Sequence, residues 1–527
     1  MLEGRETPLL GDSEDAAPPK NPPSPTTARA TAVAIARIAW PVSVSWLVQW
    51  SQSFFTIWLI GGAGEELSMA AYGLANVVCN VTGHSFLWGI GAGLDTLASQ
   101  AWGAREHAAV GLAGQRVLLI LTLVVNVPVV AIWLNATPLL VALGQERDIA
   151  THVAAFARVR VPGLFCQAPV CVLTKSLTAM GKTKPLLAIN LGGVALSLGL
   201  AWLLIARASP ASGRFNPIVG SAVMSTCVDA ASAFALLVVA ACDADCRRCW
   251  PGWSRRAWDG WRTYLKLAVP ALLMGIFEWW SWDIVNFLAG LCPEPKTALA
   301  SNALLGQIIS LAYCAPGGLQ AGTQTLVGNA LGAQAPHAAC RAAHVGLALA
   351  AGVMGAQAVA LFALRGRWAA LFSSEPEVGR EVRRLLQWVV FFNAGDGVQL
   401  VVSGAITGAG KQGATPLVLF GSYWVLGLPL GALAAFRAPR NGLLGLWWGM
   451  TLAVWLHVFT YLVMLFAYPR VTGAIDWPRA ARAAAARLAE PTAATADASG
   501  AGLNSAPEGE YTAPETPPLV PLPQEAE

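Results

Sequence analysis

Gly275-Ile276-Phe277-Glu278-Trp279-Trp280-Ser281-Trp282-Asp283 places two carboxylates inside an otherwise apolar run, 265–291, long enough to cross a bilayer. A charged side chain at the membrane centre costs roughly 2.5–3.5 kcal/mol on insertion scales, so acids there face a cavity or a partner. Glu278 and Asp283 are five residues apart, about 140° around a helix. They can look into one broad interior without touching. The alternative is one acid as a buried hydrogen-bonding post and the other at a helix end.

Working outward, the chain holds about twelve such runs, near 38–60, 69–94, 110–134, 160–180, 186–206, 217–241, 265–291, 298–325, 344–364, 385–407, 415–436 and 443–467. A soluble chain of 527 residues would divide into several domains. Here 55% of the residues are hydrophobic and 12% charged, against about 25% charged in soluble domains. The expected fold class is therefore all-α, a polytopic membrane protein with about twelve transmembrane helices. A net charge of +4 gives no reason to expect a nucleic-acid partner.

The ends differ from the middle. Residues 1–35 are rich in Pro, Ala, Thr and acids and show no apolar signal-peptide core. Residues 471–527 become a Pro/Ala/Glu tail that cannot bury a core. Both read as disordered cytosolic tails. Most of the ten cysteines lie singly in apolar segments, where Cys acts as a small hydrophobe. Cys242, Cys246 and Cys249 are the exception, but no His or fourth Cys completes a tetrahedral set, so no metal is expected. Membrane-edge palmitoylation or an ordinary loop remain for them.

An internal repeat organises the spans. Pro41 matches Pro270, an offset of 229 residues, and the same offset carries Trp50 to Trp279, Gly61 to Gly290 and Glu146 to Glu375. It also carries Thr96-Leu97-Ala98-Ser99-Gln100-Ala101-Trp102-Gly103-Ala104 onto Thr325-Leu326-Val327-Gly328-Asn329-Ala330-Leu331-Gly332-Ala333, and Gly181-Lys182 onto Gly410-Lys411. The expected organisation is a six-helix lobe over 36–241, a linker over 242–264 and a second, pseudo-symmetric lobe over 265–470. Six spans return the chain to its starting side, so the lobes are parallel repeats related by an axis along the membrane normal. Arg247, Arg248, Arg255, Arg256 and Arg262 make the linker cytoplasmic by the positive-inside rule. The halves differ in one respect that bears on function: Glu278 aligns with Gln49, Asp396 with Gln167, and Asp95 with Gln324. Two acids of the C-terminal half thus stand where the N-terminal half has amides, which concentrates titratable chemistry in one lobe.

Gly93-Leu94-Asp95-Thr96-Leu97 with Gln100 and Gly103-Ala104, then Glu278-Trp279-Trp280, Gly328-Asn329-Ala330-Leu331-Gly332-Ala333, and Ser403-Gly404 through Gly408-Ala409-Gly410-Lys411-Gln412 resemble the multidrug and toxin extrusion (MATE) family, particularly its eukaryotic branch. The similarity runs from about residue 36 to 467. It implies two six-helix lobes in a V and cation-coupled efflux by alternating access. Glu278 falls on the family's acidic seventh-helix position and Asp396 on its tenth-helix acid, while Asp283 sits where animal members carry a second glutamate. Gln307 stands near an eighth-helix glutamate of animal members, closer to the plant pattern. The first helix offers Gln49 but no acid, unlike prokaryotic members.

A buried carboxylate can lose a proton, hold an organic cation and release it when reprotonated from the other side. The expected proton-coupling residues are Glu278, Asp396 and Asp283. Candidate substrate contacts are Gln49 and Gln307 together with Trp279, Trp280 and Trp282, because cations bind over indole faces; the competing reading of these tryptophans is packing or an interfacial belt. Asp95 and Lys175 lie near the same ends of spans two and four and could pair as an inner gate, or reach solvent separately. Asp229 has only its place in span six to recommend it. The glycines of Gly89-Ile90-Gly91-Ala92-Gly93 read as close helix packing.

The function expected is a monomeric secondary antiporter that exports an organic cation, drug or metabolite in exchange for protons, with sodium as the alternative ion, in the plasma or vacuolar membrane. No Walker-type loop or cofactor motif is present in the sequence, so no cofactor and no enzymatic activity are expected. Alternatives are a proton-coupled exporter of organic acids or conjugates, which needs a fixed interior cation, a lipid flippase with a cationic groove, and an embedded enzyme, for which no catalytic constellation recurs.

Overall fold

The computed structural model describes residues 27–62, 66–206, 217–372, 375–437, 441–466 and 475–493. Among these there is no strand. Ten helices are long and apolar enough to cross a membrane unaided. Two further spans fall short for local reasons. The second is divided into Glu66–Cys79, a π-helical turn Asn80–His84, Ser85–Gly91 and Gly93–Gly103. The seventh, Trp261–Ala289, carries the acids and tryptophans that lower its mean hydropathy. The twelve form two lobes of six.

The first lobe contains Ala28–Gly62, the divided second span, His107–Leu134, Arg147–Ala179, Lys184–Ile205 and Pro217–Cys242. The second contains Trp261–Ala289, Pro295–Gly332, Pro336–Ala363, Pro376–Gly408, Thr415–Arg437 and Gly442–Phe466. Short helices Ala244–Cys249 and Arg255–Trp258 lie in the linker. The repeat extends to the backbone. The fourth and tenth spans have the same length and bounds 229 residues apart, and the second and eighth end on Gly103 and Gly332. Arg105 (φ 62°) and Gln334 (φ 56°), repeat mates, are the two non-glycine residues with positive φ among the described residues, and Gly181 (φ 74°) matches Gly410 (φ 67°). Each ends an even-numbered span with the left-handed residue that terminates a helix. Sharp reversals at matching places fix matching geometry in both lobes.

Each lobe has its own apolar core, centred on residues such as Trp133, Leu164 and Phe156 in the first and Trp447, Phe392 and Leu386 in the second. The lobes meet along a seam of small residues. A Cβ on Gly103 would collide with the Asn329 carbonyl, and a Cβ on Gly332 with the Gln100 carbonyl. Gly103 and Gly332 are repeat mates, as are Gln100 and Asn329, so the contact is reciprocal, like a two-fold interface within one chain. Ser99 packs on its own mate, Gly328, which places the pseudo-axis there. Thr96 Oγ1 donates to the Thr407 carbonyl at 2.7 Å, Gln100 Nε2 to the Gly408 carbonyl at 3.0 Å and Asn329 Nδ2 to the Ala179 carbonyl at 3.3 Å. All these residues lie at the ends of even-numbered spans, the face that carries the linker. Gly89 and Gly93 bring the second span against Leu272 and Ala268 of the seventh, the close approach expected of that glycine-rich stretch.

Two stretches assigned to tails are helical. The first span begins at Ala28, within 1–35, because Ile35 and Ala39 pack against the eighth and tenth spans. Trp477–Ala493, within 471–527, is a helix whose alanine face is buried to Ala484. The rest of both tails lies outside the described residues. The chain to Leu488 forms one compact unit, and residues from Ala489 belong to a second, of which only 489–493 are described.

Candidate functional site

Glu278 on the seventh span and Asp396 on the tenth converge on one side chain. Gln399 Nε2 donates to Glu278 Oε1 at 3.0 Å and reaches Asp396 Oδ1 at 3.4 Å. Asp396 and Gln399 are buried, three residues apart on one helical face. Glycines set this depth: Gly395 packs against Val454 and Trp455, and Gly397 against Met354, so the tenth span sinks between the ninth and twelfth. Two carboxylates around one amide in an apolar interior repel when both are charged. Tyr313, Tyr423 and Tyr461 lie within electrostatic range of Glu278. The ring of Tyr313 stacks on Trp46 of the first span at 5.8 Å, a contact between the two lobes.

Asp283 lies apart from this pair. It is exposed, and with Val81, Trp280, Ile284, Phe287 and Trp424 it lines a groove of about 380 Å³. The seventh span starts on the linker face, so these residues lie toward its far end. The three tryptophans separate as a helix requires. Trp280 lines the groove, Trp279 is 53% exposed on the outside, and Trp282 packs edge-on against Phe392 and Trp447 at 5.2 and 5.5 Å. Trp282 thus packs on the second lobe's core. Gln49 is exposed on the first span. Gln307 is half-buried, with its Oε1 lacking a hydrogen-bond partner.

Lys175 Nζ lies 2.6 Å from Asp95 Oδ2. The pair ties the second span to the fourth, beside the seam residue Thr96 and one turn from Ser99. Outside the spans, Lys182 meets Asp243 at 2.6 Å and Asp245 at 2.7 Å. Burial opposes its charge, but the hydrogen bonds it donates to the two acids outweigh this and hold the ammonium above the usual lysine value. Cys246 and Cys249 are buried where the linker meets the first lobe, Cys242 is exposed, and no metal-binding group occurs among the described residues.

A second polar cluster escaped the sequence reading. In the first lobe Arg160 Nη1 lies 2.5 Å from Asp229 Oδ2, and Gln167 Nε2 donates to Asp229 Oδ1 at 2.6 Å. The other guanidinium arm, Arg160 Nη2, is 3.2 Å from His84 Nε2. Arginine only donates, so Nε2 accepts and His84 is the neutral tautomer protonated at Nδ1. Gly163 makes room, since a Cβ there would press on both Asp229 and Arg160. Arg160, Gly163 and Gln167, at spacing i, i+3, i+7, share one helix face, the signal by which the cluster could have been found. His84 closes the π-helical turn that also contains the groove residue Val81.

The comparisons with known proteins agree with this layout. The MatE family model matches twice, over residues 41–203 and 270–433, starting on the repeat mates Pro41 and Pro270. Protein DETOXIFICATION 16 of Arabidopsis thaliana is 29% identical over 84% of this chain and 88% of its own length. Multidrug and toxin extrusion protein 1 of Danio rerio is 28% identical over 90% of this chain and 78% of its own. The crystal structure of the eukaryotic MATE transporter AtDTX14 superposes with a TM-score of 0.78 at 23% identity, covering 88% of this chain and 99% of that one. The Vibrio cholerae MATE transporter VcmN in its bent form gives 0.73 at 18% identity, covering 87% and 99%. These two are likenesses of fold. With two family matches in the register of its own repeat, the chain is a multi-pass membrane transporter that belongs to the MatE family.

Proposed function

We propose that this transporter is a secondary antiporter that exports organic cations, including drugs and metabolites, in exchange for protons. The observation that carries the reading is the pairing of Glu278 and Asp396 around Gln399, inside a lobe whose repeat partner has amides at both positions. The seam is closed on the linker face, cytoplasmic by its arginines, and the groove lies toward the far end of the seventh span, an arrangement suited to the outward stage of alternating access. In the inward stage the pair gives up a proton and offers a negative site to a cation, with Trp280 and Trp424 as apolar walls. Protons entering from outside neutralise the site, the electrostatic hold weakens and the cation leaves. Asp283 lines the groove, which supports a role for it in meeting the cation or the proton on this path. An organic-acid exporter would need an unneutralised interior cation, and Arg160 is neutralised by Asp229. We read the protein as a monomer of the plasma or vacuolar membrane.

The test is uptake of a fluorescent organic cation into proteoliposomes under an imposed pH gradient, with and without sodium. Proton coupling predicts accumulation without sodium that collapses with a protonophore. Accumulation that follows sodium alone would overturn it.

Two variants probe the site further. Gln399→Leu removes the donor shared by the acids. Expected is a shallower pH profile of transport, displaced by on the order of one pH unit, as befits loss of a hydrogen bond worth about 1.5 kcal/mol to a charged group. An unchanged profile would show that the amide does not link the two acids. At the Asp95–Lys175 pair, Asp95→Lys and Lys175→Asp singly should lower transport about tenfold, and the double exchange should restore part of it. Independent effects would remove the pair from the gate.

A further inference from the structure

The segments that follow the sixth and twelfth spans are repeat mates with different attachments. The linker stays on its own lobe, held by Lys182 at Asp243 and by Gln115, whose Nε2 donates to the Gly252 carbonyl at 2.8 Å and whose Oε1 accepts from the Ser254 amide at 3.0 Å. The terminal helix also begins on its own lobe. Ala480, Ala481 and Ala484 are buried against Leu331, Ala339 and Ala342, and Gln334 Nε2 donates to the Ala481 carbonyl at 2.8 Å. Its last turns then cross the seam. Arg487 Nη1 donates to Gln100 Oε1 of the first lobe at 2.8 Å and Nη2 to the Gly410 carbonyl of the second at 3.1 Å, while Leu488 packs on the apolar cluster shared by the first lobe and the seventh span.

Gln100 already donates to the Gly408 carbonyl, so the guanidinium completes a three-way joint between the lobes and the helix. The Gly410 carbonyl ends the tenth span, where a cation is favoured by the helix dipole. Gly410 has φ 67°, and a Cβ there would press on the guanidinium, so glycine is required by conformation and by contact. Opening the seam on this face must break the Arg487 joint or lift the helix from one lobe.

We propose that Trp477–Leu488 is a strap that holds the lobes together on the linker face and restrains opening of the seam. The inference rests on the alternating-access reading. The strap is built to release. Its hydrogen bond to the first lobe runs through the Arg487 guanidinium, and the arginines crowd a like charge. Lys411, repeat mate of the well-paired Lys182, is held below the usual lysine value first by burial and then by Arg487 and Arg479.

The test is amide hydrogen exchange of the full-length protein in lipid nanodiscs, without substrate or gradient, so its outcome is independent of whether protons drive transport. Arg487→Ala and Gly410→Ala disturb the joint from opposite sides. Each should speed exchange in 96–104 and 408–412 about tenfold, the loss of one charge-assisted hydrogen bond, and Arg487→Lys should fall between. The first part of the third span, His107–Leu119, should exchange as before. Wild-type exchange at the seam in both variants would overturn the strap, and so would a rise that includes 107–119, which would mark general destabilisation.

Discussion

Glu278→Gln and Asp396→Asn should each reduce gradient-driven uptake to the level of empty vesicles while leaving membrane delivery intact. Both substitutions keep size and hydrogen-bonding capacity, and an amide oxygen at 278 still accepts from Gln399. What they remove is titration. Binding of a cation to the wild type should weaken as pH falls through the titration of the pair, because protonation removes the negative charge that attracts it. The same titration in Glu278→Gln or Asp396→Asn should be flattened, and binding measured at equilibrium can persist where aromatic contacts supply its energy. Flux and binding therefore separate: the neutral variants bind without pumping. Wild-type rates of gradient-driven uptake in both would leave these acids a structural role and move the coupling site to Asp283 or Asp95.

Those two acids were legible in the sequence for the same reason they are expected to work. A carboxylate in an apolar run stands out because the bilayer penalises it, and the 229-residue register shows which lobe has kept it. The register also proved a reliable guide to the backbone, from the matching bounds of the fourth and tenth spans to the paired left-handed residues at 105 and 334. What it could not supply was orientation about each helix axis. Trp279, Trp280 and Trp282 look equivalent on paper, but 100° per residue sends them outward, into the groove and into the core. Arg160 gives no such signal, because the apolar run near 160–180 begins on it and a charge at the end of a run is ordinary; the helix in fact begins at Arg147 and carries Arg160 well inside. The strap was missed because its apolar face is alanine, whose weak hydrophobic signal is lost among arginines. Its spacing, Ala480, Ala481, Ala484 and Leu488, is that of one helix face nonetheless.

Arg160→Ala should be the most destabilising single change in the first lobe. Removing the guanidinium leaves Asp229 buried with only Gln167 as a partner and deprives His84 Nε2 of its donor. Breaking a buried ion pair from one side costs about 3–5 kcal/mol, and the surrounding spans offer little water to soften it. Arg160→Lys should recover little, because one ammonium cannot present the planar fork that reaches Asp229 and His84 together. The double change Arg160→Met with Asp229→Leu should recover most of the stability, since it removes both charges and fills their volume. Thermal melting in detergent, followed by intrinsic tryptophan fluorescence, reads all four proteins. If Arg160→Ala melts like the wild type, the pair is hydrated rather than buried and the cluster has no structural weight. If the double variant is stable and still transports, the cluster serves folding alone. A stable double variant that no longer transports would instead mean that the charges behind the π-helical turn take part in the cycle, through the turn that carries His84 at one end and the groove residue Val81 near the other.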